Sequence, residues 1–132
     1  MYDLDYAHTS TAIRGEAIPG NLVCSWRHDG MNGTRVDVAG EVDIATAPDL
    51  ERALLAAEAR GRSVILDLRA LDFIDSSGVH VIIAAHHRAR HRGRRLALVR
   101  GPECVDRVFT LTGASEKLEI GDLARISPPL DG

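Results

Sequence analysis

The chain has 132 residues, 45% of them hydrophobic and 27% charged, with a formal net charge of -3. That length and apolar content suffice for one domain around one core and fall short of two. A net negative charge argues against a nucleic-acid binder working through bulk electrostatics, and no apolar run nears the ~20 residues of a membrane span.

The opening MYDLDYAHTS lacks the basic-then-apolar layout of a secretory signal, so a cytoplasmic protein is the default expectation. Residues 1–20 mix polar side chains, Gly and Pro without a period and are expected to form a flexible extension. The domain is expected over residues 21–125. Residues 126–132 are expected to be a tail, because the paired prolines of SPPLDG propagate neither helix nor central strand.

Leu22 to Arg27 and Thr34 to Ala39 read as strands, the second alternating Val36 and Val38 against Arg35 and Asp37. The HDGMNG between them is rich in hairpin-turn residues. Thr46 is expected to cap a helix with Pro48 and Asp49 in its first turn and a stripe of Leu50, Ala53, Leu54 and Ala57, stopped by Gly61. Ser63 to Leu68 is a near-continuous apolar run, as in a strand covered on both faces, and Leu71 to Asp75 reads as a turn. A second helix runs from Ser76 to about Arg92 with the stripe Val79, Ile82, Ile83, His86 and a stop at Gly93. Arg95 to Val99 is a buried strand. Pro102 opens a third helix with Val105, Val108, Phe109 and Thr112 on one face, Gly113 ends it, and Leu118 to Ile120 adds a short strand. A hairpin followed by strand–helix alternation implies an α/β domain with a mixed, mostly parallel sheet, its helices on one side or both.

Asp75-Ser76-Ser77-Gly78 stands where the second helix begins. By itself it is an ordinary N-cap: Asp or Ser caps, and Gly relieves a tight turn. A serine there also lies beside free backbone N–H groups and the positive end of the helix dipole, where a phosphate is locally tolerated. Asp43 is expected nearby if its loop leaves the same sheet edge.

Several constellations are set aside. Cys24 and Cys104 lie far apart in apolar stretches and read as two small buried residues in a reducing cell, not a disulfide. His87 and His91 have helical i, i+4 spacing, but neither a third ligand nor a following Glu accompanies them, so no metal site is expected. No glycine-rich phosphate loop is present and no cofactor is expected. The basic run Arg88 to Arg95 reads as a solvated helix end whose cations offset the dipole. Ser77 with His80 lacks an orienting third group and the strained elbow of a hydrolase, so the chain is not expected to be an enzyme.

Three segments in order, Gly40-Glu41-Val42-Asp43, Asp75-Ser76-Ser77-Gly78 and Leu111-Thr112-Gly113, resemble the STAS domain family of the anti-sigma-factor-antagonist type over about Leu22 to Ile120. The resemblance implies a switch protein. Unphosphorylated, it binds an anti-sigma factor with serine kinase activity and so frees a sigma factor; phosphorylation switches it off and a phosphatase resets it. It implies Ser77 as the phosphorylated residue, with Ser76 as the alternative, and a partner surface of Asp43, Asp75, Ser76, Ser77, Gly78 and His80. It implies no direct contact with nucleic acid or membrane. Where family members often have a small residue, this chain has His80, which either alters kinase choice or faces outward. The same fold also serves as a scaffold or small-ligand sensor in stress-signalling assemblies, with the serine never phosphorylated.

Overall fold

Five strands form one sheet in the order β1 to β5: β1 (Leu22–Asp29), β2 (Gly33–Val42), β3 (Ser63–Ile74), β4 (Arg95–Val99) and β5 (Glu119–Gly121). The computed structural model describes residues 22–30 and 33–127. The expected extension at 1–20, the centre of the hairpin turn and the last residues of the expected tail lie outside them. β1 is antiparallel to β2, and every later pair is parallel. The expected mixed, mostly parallel sheet is therefore present.

Helices α1 (Ala47–Glu58), α2 (Ser76–His91) and α3 (Glu103–Leu111) connect the parallel strands. Right-handed crossovers that step in one direction across a sheet deliver all their helices to one face. That face carries the main core: Leu50 and Leu54 of α1, Val79 and Ile82 of α2, and Val105 and Phe109 of α3 pack over Val36, Val38, Leu66 and Leu98. On the other face a short helix α4 (Leu123–Ile126) covers Ile65, Ala97 and Val99 with Ile126. No described helix is long and apolar enough to cross a membrane.

Several expectations need correction. β3 continues to Ile74, so the expected turn at Leu71 to Asp75 is strand for all but its last residue. Its pairing with β2 shifts register between Asp37 and Ala39 and again between Gly40 and Glu41, where Gly40 takes a φ of 106° that only glycine adopts without strain. These shifts broke the period-2 pattern. The stripe of α2 continues through Ala85 and Ala89 instead of His86, and Thr112 is exposed. Ile126 is buried and the Ser127 hydroxyl donates to the Asp29 carboxylate at 2.9 Å, so residues assigned to the tail are fastened to the domain.

The cysteines also differ from expectation. Cys24 is buried, its thiol pushed up to about 12 chiefly by burial and secondarily by Asp49, but Cys104 is exposed. Neither forms a disulfide. β3 is also not uniformly apolar. Asp67 sits on the face away from the three long helices, where Arg35 and Arg69 donate to its Oδ2 at 2.7 and 2.9 Å.

Candidate functional site

Parallel strands that end together expose their following loops along one edge, the usual place for recognition in open α/β sheets. Here the register pairs Val42 with Ile74, so Asp43 and Asp75 are the next residues out from two neighbouring strands, about 5 Å apart along the backbone ladder. The Asp75 N–H donates to the Val42 carbonyl at 3.1 Å, which ties the two loops together.

Each loop is fixed by its own aspartate. Asp43 Oδ1 accepts from the backbone N–H of Ala45 and of Thr46, both at 3.0 Å. The Thr46 hydroxyl accepts from the Asp43 N–H at 3.0 Å and donates to the Glu41 carbonyl at 2.9 Å. Thr46 precedes α1 as expected, but its side chain bonds backward into the strand end and does not cap the helix. At α2 the cap is Asp75, whose Oδ1 accepts from the Ser77 N–H at 2.8 Å while its carbonyl accepts from Gly78 and Val79 at 3.1 Å. Three backbone N–H groups at the helix start, those of Ser77, Gly78 and Val79, are therefore already engaged.

Ser77 is the second residue of α2 and is half-buried; Ser76 and His80 are exposed. Among the described residues the Ser77 hydroxyl makes no hydrogen bond. Gly78, expected in the contact surface, is instead buried. A Cβ there would lie 2.5 Å from Val42 Cγ1 and 2.7 Å from Ile74 Cγ1. Its absence lets the first turn of α2 press onto the ends of β2 and β3, and this sets the height at which Ser77 is presented.

One residue was missed from the sequence. Ile44, between Asp43 and Ala45, is 80% exposed. An isoleucine held in solvent on a hydrogen-bonded turn is poorly placed for folding and well placed for contact. The available signal was an aliphatic residue just before the α1 cap and outside its apolar stripe.

The STAS domain family model matches residues 27–127. An anti-sigma-B factor antagonist of Listeria monocytogenes is 34% identical over 84 residues, 63% of this chain and 74% of that protein. The protein of the same name in Bacillus subtilis is 28% identical over 89 residues, 67% of this chain and 82% of the relative. An anti-sigma factor antagonist from Mycobacterium paratuberculosis shares the fold, with a TM-score of 0.72 at 24% identity, over 80% of this chain and 90% of that one. Because that family model spans well over half of the sequence, the chain belongs to the STAS domain family.

Proposed function

We propose that this protein is an anti-sigma-factor antagonist whose docking edge is built from Asp43, Ile44, Asp75, Ser76, Ser77 and His80, and which is switched off by phosphorylation of Ser77. Unphosphorylated, it binds an anti-sigma factor with serine kinase activity, which then lets go of a sigma factor. The relatives' names support the role. The observation that carries the switch is the Ser77 hydroxyl: unpartnered, half-buried, and held at the start of a helix beside its capping residue Asp75.

In the phosphorylation step the Ser77 oxygen attacks the γ-phosphorus of ATP held by the partner. A new O–P bond forms, the bond to ADP breaks, and the hydroxyl proton leaves to a base on the partner. The product carries about -1.5 to -2 charge at neutral pH. Asp75 already holds the Ser77 N–H, so the phosphate gains less from the helix end than a free N-terminus would give. It also stands beside the carboxylate of Asp75. In a docked, partly dehydrated interface two like charges ~5 Å apart repel by about 3 kcal/mol at an effective dielectric of 20, enough to reduce affinity by at least about a hundredfold. The fold need not change.

The test is incubation with the kinase-type anti-sigma factor and ATP, followed by mass mapping, alongside pulldown with Ser77→Asp. Phosphate on Ser77, absent from Ser77→Ala, and loss of the partner by Ser77→Asp are expected. Unchanged capture of the partner by Ser77→Asp overturns the switch and favours the scaffold or sensor reading.

A further inference from the structure

At the opposite edge, where the parallel strands begin, the charge reverses. The ends of α1 and α2 and the loops into β3 and β4 meet there and form a shallow open cleft. Its rim carries Arg62, Arg88, Arg92, Arg94 and Arg95 against a single lining carboxylate, Glu58, and its floor is apolar, with Val64 and Leu96. Glu58 grips Arg88 at two points, 2.9 and 2.7 Å, and its carbonyl accepts from Arg94 at 3.1 Å. Arg95 turns aside to Glu119 at 2.9 and 2.7 Å. Among the described residues Arg62 and Arg92 make no side-chain hydrogen bond or ion pair.

Offsetting a helix dipole takes about half a unit charge, and this cleft holds far more. We infer that it is a second docking site, independent of the Ser77 edge, and that it takes an acidic segment of a protein partner. Carboxylates of that segment fork onto Arg62 and Arg92, a geometry guanidinium matches better than ammonium.

The cleft favours a polypeptide over a nucleic acid for two reasons. Glu58 stands among the arginines and Glu119 draws Arg95 aside, so the positive charge is interrupted and suits a uniformly anionic backbone poorly. Stacking of bases also needs an open aromatic face, and none of the residues lining the cleft is aromatic.

Fluorescence anisotropy with a labelled peptide of alternating Glu and Leu tests the site at low salt. Binding that weakens at least about tenfold in Arg62→Ala/Arg92→Ala is expected; Ser77→Asp is expected to bind as wild type does. Arg52→Ala/Arg107→Ala removes the same charge elsewhere on the surface, and its melting temperature and that of the cleft variant show whether each is folded. Three results overturn the proposal: no binding, equal weakening by the two double variants, or tighter binding of a DNA duplex than of the peptide.

Discussion

The two edges of this sheet are built by opposite means. At the Ser77 edge short side chains bond to nearby backbone: Asp43 to Ala45 and Thr46, Thr46 to Glu41, Asp75 to Ser77. At the arginine edge long side chains reach across elements, Arg88 to Glu58 and Arg95 to Glu119. Short local bonds hold a hydroxyl at one height with little side-chain entropy to lose, whereas long ion pairs trade geometry for reach and weaken with salt. A chemical switch needs the first kind of edge. An electrostatic dock tolerates the second.

The largest effect that separates the edges is the loss of partner binding by Ser77→Asp, at least about a hundredfold with a melting temperature close to that of wild type. A parallel melting shift of many degrees would mean that the serine supports the fold instead of the interface.

The glycines at the two ends of α2 come next. Gly78 is needed for space and Gly93 for its backbone, with a φ of 67° and nothing near its missing side chain. Gly78→Ala forces Val42 and Ile74 apart and is expected to cost about 1–3 kcal/mol. Gly93→Ala is expected to cost about 1–2 kcal/mol, and Gly93→Asn much less, because asparagine tolerates the left-handed region. Chemical denaturation of Gly78→Asn and Gly93→Asn distinguishes the two causes: the first variant should be strongly destabilised and the second nearly native.

Ile44→Ala should follow, weakening partner binding by about 1–2 kcal/mol through lost apolar contact while leaving stability unchanged, since its side chain is already in water. Calorimetric titration against the anti-sigma factor reads the first, and a thermal melt reads the second. A melting loss with intact binding would remove Ile44 from the interface.

Much of this was legible in the sequence because most elements obey a single period. The stripe Leu50, Leu54, Ala57 gave α1, and the run Arg95 to Val99 gave β4. Reading failed where a local device interrupts the period. The extra residues of both register shifts lie in β3, whose core positions run Leu66, Leu68, Leu71 and Ile74 against an unbroken Val36, Val38 and Val42 in β2, and this hid how far β3 runs; no short-range pattern reports a register shift between strands. The Ser77 edge was partly legible because its segment is local: Asp75, Ser76, Ser77 and Gly78 are consecutive. Ile44 was not, since solvent exposure depends on which neighbours fail to cover a residue. Gly78 was assigned to the contact surface because its burial follows from Val42 and Ile74, contributed by two different strands. The arginine cleft was read only as a run at a helix end. Arg62, thirty residues upstream of Arg92, joins it through the parallel pairing of β3 with β4.

The smallest expected effect concerns acid. Hydrogen bonds from Arg95 hold the Glu119 carboxyl below its usual 4.5, against the opposing push of its own burial and with added help from the charge of Arg95 and Arg125. A carboxyl with a depressed pKa in the folded state gives its stability above the unfolded value and loses it as pH falls through the folded one. The difference between wild type and Glu119→Gln should therefore be present at pH 7, begin to shrink below about pH 4.5 and vanish in stronger acid. Its size is limited because Arg95 and Glu119 are 43% and 36% exposed, so solvent and salt reduce it to about 0.5 kcal/mol or less. Denaturant midpoints of the two proteins across that pH range, at low and at 1 M salt, decide the matter. A difference that persists in both salts would mean that the pair is held more like the Ser77 edge, by geometry and not by charge.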